Sequence, residues 1–381
     1  MDSYISKKRK EFEVYEEYWK ITAAWTDIFG TKFNDCLRLI VDFIDKNKIQ
    51  LSSVSKDDFK NSKLYSELQE EIVYVIGFKG DDATLSARKA INTYVKLGFI
   101  EPFLSSYHKL TRKFLLRKER EEKRIIFSKI FYEKSSLCSS VTERDDGPSH
   151  IKFFLRTLDR NGKLDASDIK ALMVTNIANY PAGFLTRSQL NLKKRLVESI
   201  GFEERKYNQI SHLKSFLKSF IDVKYIQDED CFYFSDNPDV ANKSETQKLT
   251  RDPIRYRIFR NELLAESRRL YGAEVCYLSK KQYKGLVASH IKPSAVCIKE
   301  GSEDAAYDVN NGLLLNQNAD QYFDNFEITF DDDGKIIVGP KVSSAVAEEY
   351  NDVSLDKKVM NESRVAYMQY HRKVFYDRGG K

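Results

Sequence analysis

The sequence has no run of about 18 apolar residues, the length that an α-helix needs to cross the hydrocarbon layer of a membrane. Its first ten residues, M-D-S-Y-I-S-K-K-R-K, lack the apolar stretch of a secretory signal, so the sequence predicts a cytoplasmic protein without membrane contact. The five cysteines are scattered, and none forms a C-x-x-C pair. These absences exclude a helical membrane protein, a disulfide scaffold and a zinc knuckle.

The length of 381 residues exceeds the usual size of one domain, roughly 100–200 residues, and therefore predicts two or three domains. The net charge of +6 is unevenly distributed. Residues 251–381 carry 20 basic and 20 acidic side chains, so the whole surplus lies in the first 250 residues. Such a surplus favours contact with a polyanion in that part of the chain. Lysine-rich helices with a solvated surface account for it equally well.

Residues 1–135 show amphipathic helical patterns and predict a helical domain. The segment 108–124 holds eight Lys or Arg and three Glu, and its apolar positions predict a single helix with the cations outside. Arg112 and Lys113 are its candidate DNA-binding residues. A plain solvated helix is the alternative. The Ser-rich stretch 135–149 is the first candidate domain boundary.

Residues 150–236 predict several helices followed by a β-hairpin, in which V-K-Y-I-Q and C-F-Y-F-S flank the turn D-E-D. This order is typical of a winged helix, whose last helix enters the major groove of DNA. On that helix, residues 207–221, Lys214 and Lys218 lie opposite the apolar face and are candidate DNA contacts. Residues 1–135 are interpreted as a second, less complete copy. Residues 237–250 contain few apolar side chains and predict a linker.

Residues 251–381 predict a helix, a strand ending in S-H-I-K-P, the segment N-G-L-L-L, a short helix containing D-Q-Y-F-D, and a hairpin. Hydrolysis of a phosphodiester needs a base to activate water and a cation to offset the developing negative charge. His290 is a candidate base, since histidine titrates near neutral pH. Asp320 and Asp324 are four residues apart on the helix, so they can share one metal ion. Asn311 precedes that helix and is placed to hold the loop that carries the base.

These motifs resemble the HNH (ββα-metal, or His-Me finger) nucleases, and most of all the HNH restriction endonucleases. Phe259, Arg260, Leu263 and Leu264 match the F-R-x-x-L-L helix that opens the restriction pattern. The resemblance implies that His290 is the general base, that Asn311 fixes the base-bearing loop, and that Asp320 is a metal ligand with Asp324 as a second ligand or support. Roughly 90 residues are covered, and nothing upstream is inherited from the resemblance.

The sequence departs from that pattern beside the base. Many HNH nucleases place Asp or His there as a metal ligand, whereas this chain has Ser289. Two aspartates favour Mg²⁺ over zinc, with Mn²⁺ as the alternative, because hard ions prefer oxygen donors. Lys292 and Arg260 are candidate contacts to the scissile phosphate. An exposed lysine and a structural salt bridge are the respective alternatives.

Taken together, the sequence predicts a multidomain, mainly helical protein with winged-helix-like N-terminal parts and a C-terminal α+β HNH domain at 251–381. The leading hypothesis is a sequence-specific endonuclease of double-stranded DNA, similar to type II restriction enzymes, that leaves 5′-phosphate and 3′-hydroxyl ends. A homodimer is expected because each strand needs its own active site, with the final helix as a contact surface, and a cognate DNA methyltransferase is expected as partner. A DNA-binding regulator with a degenerate HNH domain and a modification-dependent nuclease stay open.

Overall fold

The computed structural model describes residues 19–144, 149–200, 202–235, 252–350 and 353–380. The chain divides into two compact units, residues 1–245 and 246–381. The predicted linker 237–250 lies outside the described residues. The stretch 135–149, predicted as a boundary, lies within the first unit, where Ser135 and Ser149 are joined by a hydrogen bond between their hydroxyl groups.

The first unit is mainly helical, as predicted. Its helices are α1 (Thr31–Lys46), α2 (Lys48–Ser53), α3 (Lys56–Phe59), α4 (Lys63–Ile76), α5 (Ala83–Leu97), α6 (Thr111–Leu116), α7 (Arg120–Lys134), α8 (His150–Asn161), α9 (Ala166–Met173), α10 (Arg187–Ile200) and α11 (Phe202–Lys218), and its strands are β1 (Lys163–Asp165), β2 (Val223–Ile226) and β3 (Cys231–Phe234). Short 3-10 turns cover Pro102–Leu104 and Ile177–Asn179.

The prediction of one continuous helix over 108–124 is wrong. The chain forms α6 and then α7, and Arg117 between them has an extended backbone. Leu116, one of the apolar positions of this segment, is 81% exposed, whereas Phe114 is fully buried. The break turns the second half of the segment into a new helix, whose buried residues include Ile126 and Phe127.

The first unit contains a three-stranded antiparallel sheet with the order β1-β3-β2. Strand β1 follows α8 in the chain, and strands β2 and β3 follow α11. Strands β2 and β3 form the predicted hairpin, with Val223 opposite Phe234 and Ile226 opposite Cys231. Strand β1, which lies in the segment D-R-N-G-K-L-D, is not among the predicted strands. Its residue Leu164 pairs with Phe232, and both are fully buried, so burial of a single apolar residue stabilises this short strand.

The second unit contains a long helix, a C-terminal helix and two small two-stranded antiparallel sheets. Its helices are α12 (Pro253–Tyr271), α13 (Ser294–Lys299), α14 (Glu303–Ala306), α15 (Gln317–Asp324), α16 (Ser344–Glu349) and α17 (Glu362–Asp377), and its strands are β4 (Val287–His290), β5 (Gly312–Leu315), β6 (Ile328–Phe330) and β7 (Ile336–Val338). A 3-10 turn covers Val309–Asn311. Strand β4 pairs with β5, and β6 pairs with β7.

Helix α12 begins where the side chain of Asp252 accepts hydrogen bonds from Ile254 N and Arg255 N, and it ends at Gly272 with φ 74°. The core of the unit is built from the apolar faces of α12, β4, β5 and α15. Helix α17 closes this core, since Met368 is fully buried and Phe375 is 1% exposed. The final helix is predicted to offer a dimer contact surface, and these two of its side chains cannot contribute to one because they are buried inside the unit.

No helix in the described part of the chain is long and apolar enough to cross a membrane.

Candidate active site

The predicted base lies at the end of one strand of a two-stranded sheet. Strand β4 runs antiparallel to β5, with His290 opposite Gly312 and Ser289 opposite Leu313. Helix α15 follows β5 after Asn316, whose side chain accepts a hydrogen bond from Ala319 N and so starts the helix. Helix α15 contacts β4. The order strand, strand, helix therefore brings His290 and the two aspartates into one small substructure.

The imidazole of His290 is held in one orientation by two kinds of contact. Its Nε2 lies 2.9 Å from the carbonyl oxygen of Ala306. The ring also stacks on Phe259 of α12, with a centroid distance of 4.6 Å and an interplanar angle of 13°. A carbonyl oxygen only accepts hydrogen bonds, so Nε2 carries the proton of the neutral ring and Nδ1 carries the lone pair. A histidine in this tautomer can take a proton at Nδ1.

Asn311 is completely buried and joins the two backbone segments that determine the position of His290. Its Nδ2 donates to Lys292 O at 2.9 Å and to Ala305 O at 2.9 Å, and its Oδ1 accepts from Lys292 N at 2.7 Å. Lys292 lies two residues after His290, and Ala305 precedes the Ala306 carbonyl that His290 contacts. The side chain therefore connects the strand that carries the imidazole with the segment that orients it.

Gly312 was not singled out from the sequence, although a steric constraint acts on it. A Cβ atom at this position would lie 2.5 Å from Phe259 Cζ and 2.9 Å from Leu263 Cδ1. The backbone of Gly312 is extended, so the requirement for glycine comes from the approach of α12 and from no unusual φ angle. A glycine within an apolar strand is the sequence signal for such an approach. The carbonyl of Ala306 has no comparable signal, because any residue supplies one.

The two predicted metal ligands lie on α15. Ala319 and Phe323 of this helix are fully buried, Asp320 is half-buried, and Asp324 is exposed at the end of the helix. Ser289, the third candidate, is 3% exposed, and its Oγ makes no hydrogen bond within the described part of the chain. A buried hydroxyl without a partner is unusual and is often a sign of an additional ligand or water.

The donors fit a hard divalent ion better than zinc. Among the described residues, no group of three or more His, Cys, Asp or Glu side chains comes together as a set of metal ligands. A structural zinc site needs four such ligands, whereas Mg²⁺ commonly binds one or two carboxylates and keeps several waters. The carboxylate oxygens of the two aspartates and the unpartnered hydroxyl of Ser289 are oxygen donors of the type that Mg²⁺ binds.

The predicted phosphate contacts near the base differ in their surroundings. Lys292 forms an ion pair with Glu300 at 2.5 Å, and its ammonium group lies 4.9 Å from the centre of the Tyr370 ring. Arg260 follows Phe259 on α12, is half-exposed, and forms no ion pair with the residues that the structure describes. Both side chains are partly exposed, and Lys292 is the one whose charge is paired by a carboxylate.

The remaining candidates lie in the first unit. Arg112 pairs with Asp45, while Lys113 is exposed. Lys214 and Lys218, the predicted DNA contacts of helix α11, both lie beside the hairpin, and Lys218 is exposed. Lys214 Nζ is 2.7 Å from Asp230 in the hairpin turn, and Lys218 Nζ is 3.7 Å from the centre of the Tyr225 ring.

Residues 275–331 match the family model described as HNH endonuclease. This chain contains an HNH endonuclease domain. The match covers Ser289, His290, Asn311, Asp320 and Asp324. It begins after helix α12 and ends before α17, so the F-R-x-x-L-L helix lies outside it. The HNH domain supports a nuclease-type hydrolase, and HNH nucleases generally use divalent metal ions. A comparison with curated proteins finds no match.

Proposed function

We propose that the protein is a metal-dependent DNA endonuclease in which His290 activates the attacking water. The observation that carries this proposal is the hydrogen bond from His290 Nε2 to Ala306 O, because it leaves the lone pair on Nδ1. In the proposed step, Nδ1 removes a proton from water while the water oxygen bonds to phosphorus. The bond from phosphorus to the 3′-oxygen breaks, and this oxygen takes a proton from a solvent water, which gives 5′-phosphate and 3′-hydroxyl ends. The Ala306 carbonyl then stabilises the imidazolium.

Asp320 is the first candidate to hold the divalent ion, with Asp324 as a second ligand or support and Ser289 beside the base. Mg²⁺ is the expected ion and Mn²⁺ the alternative. When bound, the ion supplies positive charge against the phosphorane and the leaving oxygen. Phe259 and Asn311 contribute by holding the imidazole still, since misorientation of a base by a small distance costs a large part of the rate.

We infer that the first unit recognises DNA, with residues 150–235 as a winged-helix-like part. Helices α8 to α11, the short strand β1 and the sheet order β1-β3-β2 support this inference. Lys214 and Lys218 would have to exchange their contacts in the hairpin for phosphates. On this proposal the enzyme is sequence-specific and resembles a restriction enzyme. A homodimer would cut both strands, and a cognate methyltransferase would protect the host.

A second function is a DNA-binding regulator whose HNH domain does not cleave. Two observations favour it: serine at position 289 in place of the metal-ligating residue that the resemblance implies, and the lack of a three-ligand group among the described residues. Both bear on how firmly the domain holds an ion and neither bears on DNA binding. The two functions therefore differ in one measurable property, which is hydrolysis.

The deciding experiment is a nicking assay on supercoiled plasmid with Mg²⁺ or Mn²⁺, repeated with methylated plasmid and with EDTA. We expect nicking by the wild type and a loss of about 10²–10⁴-fold in His290→Ala, the usual contribution of a general base. Glu348→Ala, at an exposed position of α16 outside the candidate site, is the control and should nick normally. Wild type that binds both plasmids and cuts neither would reject the nuclease and support the regulator. Cutting of methylated plasmid alone would establish a modification-dependent nuclease.

A further inference from the structure

Arg364 of helix α17 is a charged side chain with no exposed surface. Its guanidinium donates hydrogen bonds to the backbone oxygens of Gly312, Val309 and Val359 and to the carboxylate of Glu266. The distances are 3.0 Å from Nε to Gly312 O, 3.1 Å from Nη2 to Val309 O, and 2.8 Å from Nη2 to Glu266 Oε2. The planar fork of arginine suits this task, since it presents several donors in fixed directions.

The charge of Arg364 is balanced inside the domain. Glu266 of α12 also accepts a hydrogen bond from the hydroxyl of Tyr277 at 2.8 Å. Burial and the neighbouring Glu266 carboxylate raise the pKa of Tyr277 well above its usual range, so its hydroxyl stays protonated and acts as a donor. Burying such a cluster is costly, and apolar residues of the same volume often stabilise a core equally well. Stability alone therefore gives little reason for an arginine here.

The backbone groups that Arg364 binds flank Asn311. Val309 lies two residues before it, and Gly312 follows it directly. Asn311 in turn bonds to Lys292 and Ala305, the segments on either side of His290 and its carbonyl partner. Hydrogen bonds and the short backbone segments between them therefore connect α17, through the turn that carries Asn311, to the residues that hold the imidazole.

We propose that Arg364 is a positioning residue for catalysis, which holds the Asn311 turn so that His290 keeps its orientation and its Nε2–H tautomer. The proposal rests on the proposed nuclease function. It places a required residue beyond the family match, which ends at residue 331, and makes helix α17 part of the catalytic domain.

The test uses the full-length protein and two substitutions, Arg364→Met and Arg364→Lys. Lysine keeps the charge opposite Glu266 and loses the fork, so it serves if the methionine variant does not fold. Arg372→Met is the matched control. Arg372 is on the same helix, donates to Phe330 O, and pairs with Asp332, away from the Asn311 turn. Nicking is measured as kcat and KM, and folding is measured by thermal unfolding.

We expect the Arg364 variants to lose about 10- to 100-fold in kcat with KM nearly unchanged, as a small misplacement of the base predicts. Arg372→Met should keep the wild-type kcat even if its Tm falls as much as the Tm of the Arg364 variants. Equal kcat in the Arg364 variants and the control at equal Tm would overturn the proposal. Arg364→Lys should retain more activity than Arg364→Met.

A second readout does not depend on activity. The protein contains five histidines, so ¹⁵N-histidine labelling gives few signals, and His290→Ala identifies those of residue 290. Wild type should show the proton on Nε2, and the Arg364 variants should show a mixture of tautomers. If wild type cuts no DNA, the nuclease proposal fails while this spectrum still decides the role of Arg364. An unchanged tautomer in a folded Arg364 variant would reject that role.

Discussion

Replacement of Gly312 by alanine tests the packing behind the candidate base. The added Cβ would lie 2.5 Å from Phe259 Cζ and 2.9 Å from both Phe259 Cε2 and Leu263 Cδ1, which is far inside normal contact distance. Phe259 is fully buried, so its ring can move only by disturbing the core. Overpacking of this kind costs typically about 1–3 kcal/mol. Because His290 stacks on the same ring, the substitution should also lower kcat.

The two units allow the effect to be localised. The protein has two tryptophans, Trp19 and Trp25, and both belong to the first unit. Urea unfolding of Gly312→Ala should therefore shift the transition seen by far-UV circular dichroism and leave the tryptophan fluorescence transition unchanged. The double variant Gly312→Ala/Phe259→Leu should recover part of the stability lost in Gly312→Ala, since a smaller side chain accommodates the methyl group. A single variant within about 0.5 kcal/mol of wild type, or strictly additive effects, would refute the steric argument.

Three further predictions concern other parts of the chain. Burial lowers the pKa of His371 to about 4, so between pH 6.5 and 4 the unfolded chain binds a proton that the folded chain does not. The free energy of unfolding should therefore fall as the pH drops through 6.5, by up to about 3 kcal/mol. His371→Gln should flatten this pH dependence in circular dichroism melts, and an unchanged slope would contradict the prediction. Asp320→Asn should lower the nicking rate about 100-fold or more and raise the Mg²⁺ concentration that nicking needs. Asp324→Asn, at an exposed position, should lower the nicking rate about tenfold or less. A Mg²⁺ titration that reverses this order would exchange the two roles. Arg124 donates hydrogen bonds to the backbone oxygens of Lys218, Ser219, Phe220 and Val223. Arg124→Met should therefore destabilise the first unit by about 2–3 kcal/mol, and the tryptophan fluorescence transition should occur at a lower urea concentration. An unshifted transition would contradict this prediction.

Much of the second unit was predictable because its signals are local. A strand forms at the predicted place and ends at His290, before I-K-P, the segment N-G-L-L-L forms a strand, and D-Q-Y-F-D lies on a helix as predicted. Apolar alternation, turn residues and helix caps act between residues close in sequence, so a single chain reveals them. The match of residues 275–331 to the HNH endonuclease family confirms the family that those motifs indicated.

The contacts of exposed charged side chains could not be predicted in the same way, because a sequence pattern does not show which residues a side chain contacts. Helical spacing puts Lys214 and Lys218 opposite the apolar face, yet the hairpin brings Asp230 and Tyr225 to them. The same limit applies to the segment 108–124, where the pattern fits one helix and the chain turns at Arg117 to bury the next apolar face. Both outcomes depend on contacts that the helical pattern does not contain.

The sequence by itself determined the chemical groups of the candidate site: an imidazole, an amide and two carboxylates in the order of an HNH domain. Only the tertiary structure decided how they are held. The carbonyl of Ala306 sets the tautomer of His290, and Arg364, which no motif marks, binds the backbone around Asn311. The physical reason is that hydrogen bonds to backbone oxygens and close ring contacts depend on which segments meet, and segments far apart in the chain meet only once the core has formed.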